Sequence, residues 1–411
     1  MSDSSFTRPS QYISLWKFLI YSSILKMMAK NENLDSEFLR KIREVYPENS
    51  IDQFQKAFAD WTKVSKGIGI LGISGASAKD RQISKIEDIW SDLIPVMEDM
   101  ICQYIDDSDY YVVFDELDED YRHFWDTDRR DDYVALITSL FKAVSNIKKM
   151  MISYGRYRVK PIVFLRDDIY QLLSDPDSNK WEDDKINLRW SRSELKGMLR
   201  WRIFRSLYDN RFNSNLTFED AMKSLFISDT FKFGGGGTKT ESIFDHIARL
   251  SHERPRDFVR YFRDCARSSL RQGATKISND TIKGMEKDYS NHLRSELVNE
   301  ISGLIPDISM ILDSLSSFGK DILSPQNFYD AIYEHKNSSQ CHPFTKSLDE
   351  LTIAKLLFHF SIVGNMRRGP RLGPIYKYQH EYAVFNQDQS VSIHRGLLKS
   401  LGLGFNAKVH G

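Results

Sequence analysis

The chain has 411 residues, 41% hydrophobic and 12% aromatic, enough for two or three domains with cores of their own. Its 57 Lys and Arg balance 57 Asp and Glu, which excludes wholesale coating of nucleic acid and an acidic solvating tail; any such role has to sit in a local patch. Three cysteines, Cys102, Cys265 and Cys341, stand far apart with no C-x-x-C spacing, which excludes a cysteine zinc site and suits a reducing, cytoplasmic setting.

The first elements are helical. Apolar positions recur at three and four spacing over 11–30 and 35–46, and again over 51–64, with Pro47 and Asn49 marking a break. The most apolar early stretch, "LWKFLIYSSILKMM" at 15–28, is interrupted by Lys17 and too short to span a bilayer. It also lacks the small-residue cleavage site of a signal peptide, so it reads as a buried helix and no membrane partner is expected. "GIGILGIS" at 67–74 reads as a short strand and 83–105 as a long amphipathic helix feeding the strand 110–114. Residues 131–153 follow as a helix, "VKPIVFLR" at 159–166 as a second buried strand, and 169–173 as the start of a helical turn. Strands separated by long helices predict a parallel, doubly wound sheet.

From 190 onward the pattern is almost wholly helical, with helices expected over 190–208, 241–250, 255–271, 278–300, 324–334 and 348–365. "FGGGGTKT" at 233–240 reads as a flexible loop. Residues 374–394 alternate apolar and polar as in a two-stranded ribbon, and "RGLLKSLGL" closes with a short helix. Helices followed by a ribbon predict a winged helix. The expected division is an α/β core over 1–189, a helical lid domain over 190–300 and a winged-helix domain over 301–411.

The chemistry concentrates where "YYVVFDELDE" (110–119) runs a strand into carboxylates. Ligands of open α/β sheets bind at the carboxyl ends of strands. Asp115 there suits Mg²⁺ held through water, since that hard ion keeps several waters, and Glu116 would orient the water that attacks a phosphoryl group. The bland alternative is an acidic helix cap, which fits Asp118, Glu119 and Asp120 best. Arg166 ends the second strand at the same level; it either faces a γ-phosphate or pairs with Asp115, Glu116 or Asp167. In "SHERPRDFVRYF" (251–262), Arg254 and Arg256 flank Pro255 at a helix start, where cations oppose the dipole and call for a compensating phosphate or carboxylate. "NMRRGPRLGPIYKY" (365–378) concentrates Arg367, Arg368, Arg371 and Lys377, with Tyr376 and Tyr378 interleaved. It is either a DNA-binding patch or a solvated loop.

Taken in order, the acidic strand end, "IVFLRDDIYQLL", "DSNKWEDDKINLRWSRSELKGMLRWRI", "RPRDFVRYFRDCA" and "VSIHRGLLKSLGL" resemble a group of bacterial P-loop ATPases of the STAND and AAA+-like class, whose members often serve anti-phage defence or signalling. The resemblance covers most of the chain from about Tyr12 onward, and the order of the motifs carries it more than any one of them. It implies a partial P-loop NTPase sheet, then a helical lid, then a C-terminal winged helix. It also implies ATP and Mg²⁺ as cofactors, magnesium at Asp115, water activation at Glu116, a sensor at Arg166 and a second sensor at Arg254 or Arg256. A homo-oligomer or an effector protein is the expected partner, with DNA at the winged helix as the alternative.

The phosphate cradle of such an ATPase, G-x-x-x-x-G-K-[ST], does not occur in these residues. "FGGGGTKTES" offers Lys239 and Thr240 but has Thr238 where the last glycine belongs, and it lies after the acidic strand instead of before it. In the resembling group the counterpart of "YISLWKFLIYSSILKMM" follows the cradle, so the expectation is a chain that begins downstream of it, by truncation or natural loss, and hydrolyses ATP poorly alone. The ten histidines show no H-E-x-x-H spacing, and a nucleophile elbow fails at Ala76, which sets aside metal-hydrolase and serine-hydrolase readings.

Overall fold

The computed structural model describes residues 8–45, 93–118, 126–170, 173, 181–207, 216–233, 239–367, 373–380 and 382–404. The expected helix over 51–64 and strand over 67–74 lie outside the described residues, as do Arg368 and Arg371. The protein is mixed α/β and mostly helical, with small sheets. Two compact units divide it, Met1–Ile186 and Asn187–Gly411.

In the first unit, helix α1 (Arg8–Ala29) buries Leu15, Phe18, Tyr21, Leu25 and Met28 at three and four spacing, and Ile20 and Ile24 widen the stripe. Its neighbours include α2 (Ser36–Val45), strand β1 (Tyr110–Phe114) and α4 (Thr127–Ser153). Helix α3, over 93–104, is tied to α1 by Glu98, which accepts from the Tyr21 hydroxyl at 2.7 Å and pairs with Lys17 at 3.3 Å. Burial, and then the Glu98 carboxylate, push the Tyr21 phenol up, so it stays a donor. Trp16 donates from Nε1 to the Leu136 carbonyl at 3.0 Å and sets its ring edge-on to Phe114 at 5.5 Å, so one side chain joins α1 to both α4 and β1.

Strand β1 pairs in parallel with β2 (Val159–Val163), from Tyr110 opposite Val159 to Phe114 opposite Val163. Parallel partners need a crossover, and the 27-residue α4 supplies it. The parallel pairing agrees with the sequence reading. Burial on both faces does not: Tyr110 and Val112 are buried, but Tyr111 and Val113 are 49% and 53% exposed. An unbroken apolar run cannot reveal that only alternate positions are covered. A four-residue helix, α5 (Asp167–Tyr170), follows β2.

The second unit opens with α6 (Arg192–Leu207) and α7 (Phe218–Leu225), the latter started by a capping box between Thr217 and Asp220. Next come β3 (Thr230–Phe233) and β4 (Lys239–Ser242), an antiparallel pair. The glycine-rich segment expected as a plain loop therefore joins two strands, and the alternation of Phe231, Lys232 and Phe233 was the available signal. Helices α8 (Ile243–Leu250), α9 (Pro255–Arg271), α10 (Asn279–Ile301) and α11 (Ile308–Ser316) lead to the short β5 (Ile322–Leu323). Then come α12 (Pro325–Asn337), capped by Ser324 with Pro at its first turn, α13 (Pro343–Ser347) and α14 (Glu350–His359). Strands β6 (Val363–Met366), β7 (Pro374–Ile375) and β8 (Val391–Ile393) and a 3₁₀ turn over Arg395–Leu397 complete it.

Two expectations are corrected here. The helix expected over 348–365 ends at His359; the chain turns through Ser361 at φ +56° and continues as β6. The two ends of the expected ribbon, β7 and β8, do not pair with each other: the sheet order is β5-β8-β6-β7, antiparallel throughout, with β6 between them. Only the two ends of the expected ribbon are strands; the described residues between them are turns and irregular chain.

One apolar core runs through the second unit from Leu195 to Leu403. Gly396 sits where the 3₁₀ turn presses on α8 and α10: a Cβ there would collide with the Leu250 carbonyl and come within 2.6 Å of Leu293 Cδ2. Beside it Ser400 N–H donates to Ser290 Oγ at 2.9 Å. Gly396→Ala is expected to destabilise the second unit by about 1–3 kcal/mol through overpacking. Gly284→Ala, in the middle of α10 with nothing within 4 Å, is expected to stabilise it by about 0.5–1 kcal/mol. Denaturant midpoints for both variants check the pair of opposite signs.

Candidate functional site

Because β1 and β2 run the same way and end opposite each other, the residues just past Phe114 and Val163 leave one edge of the ladder. Asp115 and Glu116 are both exposed there. The Asp115 carboxylate accepts from the Glu116 N–H at 2.9 Å, and Glu116 holds φ at +59°, in the left-handed region that costs a non-glycine residue roughly 1–3 kcal/mol. Two residues on, the Leu117 carbonyl accepts from the Tyr133 hydroxyl at 3.0 Å, which anchors the turn to α4.

Arg166 reaches the same edge from β2. Its guanidinium makes a two-pronged pair with Asp168, Nε to Oδ1 at 3.0 Å and Nη2 to Oδ2 at 2.7 Å, and Nη1 lies 3.6 Å from Asp118 Oδ2. An ion pair was one of the two sequence readings, and the partners include Asp118 and Asp168, which that reading did not name for it. Asp167 pairs with Lys185 at 3.4 Å. Asp168 is fixed by the first turn of α5, two residues beyond Arg166, a spacing that matches the planar fork. Among the described residues, the edge thus carries Arg166 braced by Asp118 and Asp168 and, beside it, the exposed Asp115 and Glu116.

In the second unit Arg254 and Arg256 start α9, as the sequence indicated, and their compensating partners lie on α10. Arg254 forks onto Glu300 at 3.2 and 3.3 Å, and Arg256 lies 3.7 Å from Glu296. Glu296 and Glu300 are one turn apart on one helix face, so the two pairs fasten α9 to α10.

The basic segment near the C-terminus does not expose its aromatics. Tyr376 is buried, with its hydroxyl 3.3 Å from the Ile393 carbonyl, and Tyr378 stacks on the buried His252 at 5.0 Å. Arg367 donates to the Gly373 carbonyl at 2.9 Å and Lys377 to the Ala383 carbonyl at 3.2 Å. Of the tyrosines read as interleaved contacts, Tyr376 is buried and Tyr378 half-buried, and both pack on the rings of His394 and, for Tyr378, His252.

Two buried polar centres escaped the sequence reading. His246 is sandwiched between carboxylates, Nδ1 2.9 Å from Glu241 and Nε2 3.2 Å from Glu286, and stacks on Phe231 at 3.7 Å. The other is the ring cluster itself, in which His252 and His394 meet edge to face at 4.7 Å. Burial, and then the Arg395 charge, push His394 down to about 3. Burial, then His394 and the guanidinium of Arg254, hold His252 well below the usual imidazole range. No spacing in the sequence marks either centre, since each joins residues from separate elements.

Residues 193–298 match the family described as the FunZ-associated C-terminal helical domain. No curated protein matches the chain. The match covers α6 to most of α10, whose core is shared with the segment that follows. Among the described residues, no helix is long and apolar enough to cross a membrane.

His252 and His394 contribute a pH dependence, beside His246, which burial also holds below the usual imidazole range. Both are neutral when folded and bind a proton readily only when unfolded, so acid favours unfolding once the pH falls below about 6.5. The loss is expected to grow by about 1.4 kcal/mol per pH unit for each histidine, until the pH reaches the depressed folded-state value near 3 for His394. Urea denaturation between pH 8 and 5 (roughly the range that brackets a free imidazole) checks this. His252→Phe, which keeps the ring stacking, is expected to reduce the slope.

Proposed function

We propose that the protein is a nucleotide-gated switch of the P-loop ATPase kind, STAND or AAA+-like, serving a defence-associated system. The observation that carries the reading is the parallel register of β1 and β2, which brings the exposed Asp115 and Glu116 to the same edge as Arg166. In the proposal Asp115 holds Mg²⁺ through water, Glu116 orients the attacking water, and Arg166, released from Asp118, reads the γ-phosphate. The strained backbone at Glu116 supports the assignment, since such strain gathers at functional sites. The match of 193–298 to a FunZ-associated domain is compatible with a defence-associated role.

Arg254 and Arg256 serve as the second sensor in this reading, trading Glu300 and Glu296 for phosphate on activation. The region after α10 is read as a winged helix. Its support is the order α11, β5, α12, α13, α14, β6, β8 with β5 and β6 flanking β8, helices leading into a small antiparallel sheet as such a domain needs. The 411 residues hold no G-x-x-x-x-G-K-[ST], by truncation or by natural loss, so the proposal assigns no phosphate cradle and does not include turnover by these residues alone.

The test is ATP binding and phosphate release by these residues, run beside a form extended upstream where its own reading frame encodes a cradle. Glu116→Gln in that form is expected to lower turnover about 100-fold or more while ATP binding persists, the usual contribution of a positioned base. Unchanged turnover in the variant would remove Glu116 from the reaction.

A further inference from the structure

We propose that Asp307, His335 and Cys341 form a binding site for a divalent cation of zinc-like softness, independent of the nucleotide reading; it uses a single cysteine joined to donors from other elements, which the missing C-x-x-C spacing, taken in the sequence to exclude a cysteine zinc site, does not reveal. The three donors come from the residue before α11, the last turn of α12 and the loop into α13, and their ligand atoms all lie within 4.8 Å of one another. Carboxylate oxygen, imidazole nitrogen and thiolate sulfur are the donor types that zinc accepts, and three protein ligands leave one position for water.

The side chains are already held for this. His335 Nε2 lies 2.7 Å from Asp307 Oδ2, and both residues are buried. The Asp307 carboxylate also accepts from the His342 N–H at 2.8 Å and from the Thr345 hydroxyl, so it is oriented by groups that are not ligands. Such outer hydrogen bonds are what fix carboxylate ligands at metal centres. Two atoms bound to one tetrahedral zinc at about 2.0 Å each stand about 3.3 Å apart, so the His335–Asp307 pair opens by a small rotation to admit the ion. Cys341 is half-buried and gives the ion a way in from solvent.

Binding through sulfur releases the Cys341 proton to solvent as the S–metal bond forms. His335 Nε2, which donates to the Asp307 carboxylate without metal, gives up that hydrogen bond to bind the ion, and the imidazole carries its proton on Nδ1.

The experiment is a Co²⁺ titration of the full metal-stripped chain, read by absorbance, with Zn²⁺ added afterwards as competitor. One equivalent is expected to bind, with the thiolate-to-cobalt charge-transfer band and the strong visible bands of a four-coordinate ion, and Zn²⁺ is expected to abolish them. Cys341→Ser, at a half-buried loop position, is expected to keep the fold and lose the charge-transfer band. Its affinity is expected to fall by more than the roughly 10- to 100-fold that removal of an outer partner costs. Thr345→Val, which removes only the orienting hydroxyl, is expected to weaken binding while keeping the band. Absence of stoichiometric binding, or a band that survives in Cys341→Ser because Cys102 or Cys265 supplies it, would overturn the proposal.

Discussion

Parallel pairing imposes one condition on the first unit: two strands that run the same way must finish at the same edge, whatever their sequences do afterwards. Strands β1 and β2 meet that condition in strict register, and the long α4 between them is the crossover that makes it feasible. The rest of the unit serves to hold that pair. Helix α1 covers one face through a nearly continuous apolar surface, and Trp16 ties it to α4 and Phe114 together. The result is an edge where Asp115, Glu116, Asp118, Arg166 and Asp168 gather, although they come from segments about 50 residues apart in the chain. Arg166 is held there by Asp118 and Asp168, and in the proposed reading a phosphate competes with Asp118 for it.

The second unit rests on a different constraint, the burial of polar and aromatic rings at the junction of segments far apart in sequence. The 3₁₀ turn at Arg395–Leu397 lies against α8 and α10 closely enough that only glycine fits at 396. Around it His246 bridges Glu241 and Glu286, and His252 and His394 pack with Tyr376 and Tyr378. These contacts make the residues that match the FunZ-associated domain and the residues after them one cooperative core. A rearrangement at α9, where Arg254 and Arg256 are fastened to α10, is thus physically connected to the small sheet at the end of the chain.

Much of the architecture was legible in the sequence because it depends on local pattern. The strand at 110–114, the helix at 255–271 and the Ser324–Pro325 helix start were read at or close to their observed bounds, since periodicity and caps are local signals. What the sequence concealed was pairing. Alternation over 374–394 suggested a ribbon, but only its two ends are strands, and β6, inserted between β7 and β8, comes from residues before it. The apolar run of β1 looked buried on both faces, and only its tertiary neighbours decide that Tyr111 and Val113 stay exposed. At the candidate site the carboxylates and Arg166 were legible from their place after strands, while the choice of Asp118 and Asp168 as partners was not. Charge pairs between elements depend on rotamers and helix phase, which spacing along a chain does not encode. The Tyr376 and Tyr378 rings show the same limit, because basic residues around them in sequence suggested solvent and the fold packs them on the rings of His252 and His394.

The central claim is that the edge past β1 and β2 takes a metal-bound nucleotide. Its most direct measurement is the paramagnetic broadening of backbone amide resonances by Mn²⁺–ATP, which reports weak binding residue by residue. The account expects broadening centred on 115–118 and 164–168 that disappears in Asp115→Asn, with the second unit's Asp307 cluster broadened by Mn²⁺ alone if at all. Broadening that spares the β1 edge, or that persists unchanged in Asp115→Asn, would contradict it.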